Sequence, residues 1–199
     1  MKKFIFFCIM LFMVCCQLST VYSQTWQELM DSTKFYQDAQ DFQTAVVWGE
    51  KALIRSEKEF WKKGKNYIDA LQLITQCYYY MGNTGKAIEY SEIIKTTMKE
   101  LKGKESADYA EAVGNLGFLY DELGRFAVAE PLYKEALDIK RRIFKEDHPD
   151  LATGINNMAM FYNERGDYKQ AEPLLKEALE MYRRIYTGDH PALATSINN

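Results

Sequence analysis

Proline and glycine are scarce in this 199-residue sequence, 4 and 11 respectively, which disfavours a turn-rich all-β fold and any long disordered segment. Histidine is scarcer, only His148 and His190, and no CxxC or HExxH spacing occurs, so no metal site is expected. The sequence also lacks a glycine-rich phosphate loop and a Gly-x-Ser-x-Gly elbow. Its carboxylates stand beside cations, as in Lys134-Glu135 and Lys176-Glu177, in the manner of a solvated helix face rather than an acid–base pair. An enzyme is therefore not expected, and no cofactor is implied. The formal net charge is −3, too acidic for a nucleic-acid partner. No Asn-x-Ser/Thr glycosylation acceptor is present.

Three of the four cysteines, Cys8, Cys15 and Cys16, lie at the amino terminus. There Met1-Lys2-Lys3 is a short positive start, Phe4 to Val14 is apolar throughout, and Val21-Tyr22-Ser23 precedes Gln24. This is the layout of a secretory signal peptide over residues 1–23, with cleavage after Ser23. The apolar run is short of the ~20 residues that span a bilayer. The expectation is an exported protein, periplasmic or extracellular, with no membrane contact after cleavage. Only Cys77 then remains, so no intrachain disulfide forms, and beside Tyr78 it reads as a small buried apolar residue.

What the sequence has is a period. Asp147-His148-Pro149-Asp150-Leu151-Ala152-Thr153 returns 42 residues later as Asp189-His190-Pro191-Ala192-Leu193-Ala194-Thr195. Asn115, Tyr120, Gly124, Ala129 and Pro131 return as Asn157, Tyr162, Gly166, Ala171 and Pro173. Stepping back reaches Tyr78, Gly82 and Ala87, then Tyr36, Gln40 and Ala45, where the glycine is lost. A fixed period of this size marks stacked supersecondary units. In the clearest one, Leu151, Ile155, Met158, Ala159 and Tyr162 form one helical stripe. Pro149 suits the first turn, with His148 or Asp147 as cap, and Gly166 suits the left-handed residue that ends the helix. Asp167 opens a second helix with the stripe Tyr168, Ala171, Leu174, Leu175, Ala178, Leu179 and Tyr182, containing Pro173. The expected fold is all-α, an α-solenoid of antiparallel helix pairs over residues 24–199. The pairs fall at about 25–62, 67–104, 109–146 and 151–188, with a partial fifth unit at 193–199. That fifth unit stops in its second turn, so the expectation is that the natural chain continues.

These residues resemble the tetratricopeptide repeat: Asn157-Met158-Ala159-x-x-Tyr162, Gly166-Asp167-Tyr168, and Ala171 through Leu179. The 42-residue length, the Asp-His-Pro junction and the Ala-Glu-Pro-Leu segment resemble the longer repeats of kinesin light chains and their bacterial relatives, of a secreted type here. The resemblance implies a right-handed superhelix, concave on its first-helix side, that binds peptides or protein segments. In related grooves a first-helix Asn contacts the bound backbone or carboxylate; the matching residues are Asn115, Asn157 and Asn199, next to Asn156 and Asn198. Leu73 and Asp31 at the matching earlier places depart from a carboxylate clamp.

The resulting groove candidates are Asp69, Gln72, Gln76 and Tyr79, then Glu111, Asn115, Phe118 and Glu122, then Thr153, Asn156, Asn157 and Met160. With Asp121 and Glu164 nearby and few cations, such a groove suits a basic or apolar segment. The leading expectation is an exported protein-interaction module. Two others stand beside it: the docking or regulatory part of a larger enzyme or signalling protein with a protease-like or kinase-like domain, and a scaffold that self-associates through an uncapped carboxy-terminal end.

Overall fold

A computed structural model describes residues 24–59, 64–186 and 190–199. The signal-peptide reading of residues 1–23, the stretch 60–62 of the first pair, and Asp189 of the repeated junction lie outside the described residues. Nine α-helices, and no strands, are found among the described residues. They are α1 (Trp26–Asp38), α2 (Phe42–Glu59), α3 (Lys65–Tyr80), α4 (Thr84–Lys102), α5 (Ala107–Glu122), α6 (Phe126–Ile143), α7 (Pro149–Asn163), α8 (Tyr168–Ile185) and α9 (Pro191–Asn198). The chain divides into two compact units between Cys77 and Tyr78, within α3.

In the first unit, α1 packs on α2. Thr25 and Glu28 close a reciprocal capping box at the start of α1: the Thr25 hydroxyl accepts from the Glu28 N–H, and the Glu28 carboxylate accepts from the Thr25 N–H. Leu29, Met30, Ala52 and Ala70 form the core, flanked by Trp26, Trp48, Leu53 and Leu73. A Cβ on Gly49 would come within 2.8 Å of Ile74 Cγ1, so that glycine is the contact through which α2 approaches α3. Cys77 is fully buried, and burial pushes its thiol up to about 11. It is a space-filling apolar group, as expected.

In the second unit each helix from α4 to α9 packs on the next in the chain. Two clusters carry the core. Tyr109, Ala110, Val113, Ala136 and Ile139 join α5 to α6, with Met98 of α4 against them. Tyr133, Leu137, Leu151, Ile155, Met158, Phe161, Tyr162, Ala178, Met181 and Tyr182 continue through α6, α7 and α8. The largest side chains alternate with alanines at 129, 152, 171 and 178, which let the helices approach closely.

The turn inside each pair is built the same way. Gly82, Gly124 and Gly166 have φ of 71°, 72° and 73°. The next residue sends its N–H back to a tyrosine carbonyl in the last turn: Asn83 to Tyr78, Arg125 to Tyr120 and Asp167 to Tyr162, at 2.8–3.0 Å. This six-to-one bond satisfies carbonyls that a helix end leaves open. Gln40 takes the glycine's place with φ of 60°, and Asp41 bonds to Tyr36 in the same manner. The turn geometry is therefore kept where the glycine is not. A side chain there is strained by its own Cβ.

The residue after the turn caps the second helix unevenly. Asp41 accepts from the Thr44 N–H, and Asn83 from the Lys86 N–H. Arg125 makes no side-chain cap bond, and Asp167 accepts from the Gln170 side chain instead. Between pairs, the expected histidine cap is present twice. His148 Nδ1 accepts from the Asp150 N–H at 3.1 Å, and His190 Nδ1 from the Ala192 N–H at 3.2 Å. Their rings stack on Phe144 and Tyr186 at 3.7 and 3.6 Å between centroids.

Two stability outcomes follow from these ends. Gln40→Gly raises the unfolding free energy by about 1 kcal/mol, seen as a higher urea midpoint at unchanged slope. Arg125→Asn gains about 1 kcal/mol by supplying the cap that Asn83 makes one repeat earlier. If the Gln40 variant loses stability, the left-handed turn is not the strained position.

Candidate functional site

The twelve candidate residues all lie on first helices, α3, α5 and α7. Each unit holds its own share. In the first unit, Asp69 pairs with Lys65 one turn before it, at 2.7 Å. Gln76 accepts from the Gln37 amide at 2.6 Å, tying α3 to α1, and Gln72 is exposed.

In the second unit the structure brings Tyr79, Phe118 and Glu122 together. The Tyr79 and Phe118 rings lie 5.4 Å apart, tilted by 59°. The Tyr79 hydroxyl donates to Glu122 Oε2 at 3.2 Å, and burial, then that carboxylate, push the phenol above its usual range. Tyr80 stands 5.6 Å from Tyr79 and is 54% exposed, and Phe118 is 40% exposed. This is an open aromatic patch with an acid at its edge.

Asn115 and Asn157, one repeat apart, are both exposed, and among the described residues neither side-chain amide makes a hydrogen bond. Asn156 is engaged: its Oδ1 accepts from Asn199 Nδ2 at 3.0 Å, tying α7 to α9. Thr153 is engaged as well. Its hydroxyl donates to the Pro149 carbonyl at 2.9 Å, which leaves the Tyr182 hydroxyl, 3.0 Å away, to donate to it. Met160 is half-buried, and Glu111 is exposed on α5. Of the other acids expected in this region, Asp121 is not free. It pairs with Arg165, which lies between the Phe126 and Phe161 rings, 3.9 and 3.7 Å from their centroids.

Residues 110–150 match one tetratricopeptide-repeat family model, and residues 150–199 match a second. The chain is a tetratricopeptide-repeat protein. The same fold is seen in BtubC (BKLC) from P. vanneervenii, 23% identical over 86% of this chain and 68% of that one, with a TM-score of 0.75. A putative kinesin light chain from Podosopora anserina with nearly identical TPR-like repeats is 18% identical, covering 85% and 81%, with a TM-score of 0.68. A Rap protein complexed with Competence and Sporulation Factor is 15% identical, covering 87% and 52%, with a TM-score of 0.64. No curated protein matches the sequence significantly. The fold is thus an all-α solenoid of tetratricopeptide repeats, and its class of work is protein–protein interaction.

Two side chains of this tetratricopeptide array escaped the sequence reading. Arg165 reads as a turn residue, yet it bridges two repeats through rings and a carboxylate. In sequence, Lys140 stands with Arg141 and Arg142 near the end of a second helix, where cations suit the helix dipole. In the structure it is only 9% exposed. Its stem runs past Gly154 of α7, where a Cβ would come within 3.0 Å of Lys140 Cδ and 3.7 Å of Nζ. Burial lowers its pKa, opposed by the fields of Asp150 and Glu111. The period held the signal: positions one repeat before and after Lys140 are Met98 and Tyr182, both packed against core clusters.

Lys140→Met is expected to stabilise the fold by about 1 kcal/mol at neutral pH, since a buried ammonium gives way to an apolar group of similar length. The sign with pH is fixed by the lowered pKa. The folded lysine sheds its proton more readily than the unfolded one, so the wild type gains stability as pH rises toward 10.5. The advantage of the variant shrinks over that range, measured by urea unfolding at several pH values. A constant difference would show that Lys140 is charged and solvated in the fold.

Proposed function

We propose that this protein is exported and binds an extended segment of a partner protein along the first helices α5 and α7 of its second unit. It acts by binding and not by catalysis. One observation carries the groove reading: Asn115 and Asn157 repeat at the same helical position, are exposed, and have their amides uncommitted. Each amide offers two donors and an acceptor, the set that reads a peptide backbone. Their spacing along successive first helices places them as consecutive contacts for one strand of polypeptide. The Rap structure in complex with Competence and Sporulation Factor supports this use of the fold. The export reading rests on Met1-Lys2-Lys3, the apolar run to Val14 and the Val21-Tyr22-Ser23 junction.

The groove reading predicts that an Asn115/Asn157→Ala double variant of the full chain loses about tenfold or more in affinity for peptides selected from a random library, two amide contacts being removed. Its helical content and unfolding midpoint stay close to those of the wild type, because both amides are exposed. Equal affinity in the variant would remove these residues from the binding surface. For export, the protein recovered from its native cells begins at Gln24, as read by amino-terminal sequencing.

A further inference from the structure

The first helices of the second unit differ in charge from the second helices. Helix α5 carries Asp108, Glu111, Asp121 and Glu122 and no lysine or arginine. Helix α7 carries Asp150 alone, and α9 carries no charge. The second helices α4, α6 and α8 hold the cations, many of them paired along their own helix, as in Lys86–Glu89, Lys134–Glu130 and Lys176–Glu172. Of the acids on α5, Asp121 has Arg165, Asp108 has Lys102 at 3.9 Å, and Glu111 lies in the field of Lys140. Among the described residues Glu122 pairs with no cation, and it accepts the Tyr79 hydroxyl.

The chain itself shows what such a place can hold. Arg165 is gripped by two aromatic faces, Phe126 and Phe161, and one carboxylate, Asp121. One repeat earlier, Asp121 is replaced by Tyr79 and Arg165 by Leu123. Phe126 and Phe161 are replaced there by Thr84 and Leu119, so the Arg165 grip does not recur one repeat earlier. At that interface stand the half-buried Tyr79 ring, the exposed Phe118 ring and the Glu122 carboxylate at their edge. A planar cation seated on an aromatic face with a carboxylate on its N–H edge uses both attractions at once.

We propose that Tyr79, Phe118 and Glu122 form a receptor for one cationic side chain of the partner segment, arginine in preference to lysine. This rests on the groove reading, and it names the partner as a basic segment. Arginine is preferred because its flat guanidinium stacks on a ring while its N–H groups face a carboxylate, whereas a lysine ammonium is more strongly hydrated.

The test uses the full chain and three fluorescein-labelled probes read by anisotropy: hexa-arginine, hexa-lysine and hexa-citrulline. Hexa-arginine is expected to bind more tightly than hexa-lysine, with hexa-citrulline at least tenfold weaker than either. Glu122→Gln and Phe118→Leu should each weaken hexa-arginine binding about threefold to tenfold while leaving the circular dichroism unchanged. Glu172→Gln, on the second helix α8, should leave it as it is. Equal binding of hexa-arginine and hexa-citrulline, or equal losses in the Glu122 and Glu172 variants, would overturn the receptor in favour of diffuse attraction to an acidic surface. If library peptides bind through Asn115 and Asn157 without preferring cations, the receptor falls and the groove stands. If no peptide binds at all, both fall.

Discussion

A single backbone hydrogen bond, from the residue after each left-handed turn to a tyrosine carbonyl five residues back, is the constraint on which every helix pair depends. It fixes where the first helix stops and the direction in which the second begins. The tyrosines at 36, 78, 120 and 162 supply that carbonyl. In the second unit Tyr162 is buried in the core with Tyr120 packed against the same cluster, and Tyr162 additionally donates to Glu130 on α6 at 3.1 Å. Turn and interhelix packing are thus set by one residue, so the pair can close only with its apolar stripes facing. The strain tolerated at Gln40 shows how strongly the packing enforces this turn, since a non-glycine residue adopts φ of 60° there.

Between pairs a different device repeats. His148 and His190 each cap a first helix while stacking on the aromatic residue that ends the preceding second helix. Arg142 grips Glu105 with two hydrogen bonds, and Arg184 grips Asp147 in the same way one repeat later. These arginine pairs are exposed, so solvent screens them and their thermodynamic weight is small. Their value is geometric: two parallel N–H bonds hold the end of a second helix to the segment that leads into its own first helix. In the second unit the first helices α5, α7 and α9 carry no lysine or arginine, while the second helices α4, α6 and α8 do.

Much of this could be read from the sequence because the period forces equivalent residues into equivalent places. The Asp-His-Pro junction, the glycine turn and the tyrosine position each mapped onto one structural job, and the all-α solenoid class followed from them. Contacts between residues of unlike repeats could not be read this way. The bond from Tyr79 to Glu122 joins positions that are not each other's repeat partners. The Arg165 grip exists at one interface only, where Asp121, Phe126 and Phe161 coincide. Lys140 is a subtler case. A charge favours solvent, but helical phase puts it on the buried face with Tyr133, Ala136 and Leu137. The small Gly154 opposite makes room for a stem that charge alone would not predict.

The position of Lys140 also shows how a repeat protein acquires individuality without changing its fold. In successive repeats that place holds Ser56, Met98, Lys140 and Tyr182. Each solves the same packing problem with different chemistry. Ser56 turns its hydroxyl back to the Leu53 carbonyl, and Tyr182 reaches Thr153 on the neighbouring first helix. Lys140 carries its ammonium alongside Gly154, between the fields of Glu111 and Asp150. A second-helix residue therefore reaches the first-helix side and alters the chemistry displayed there.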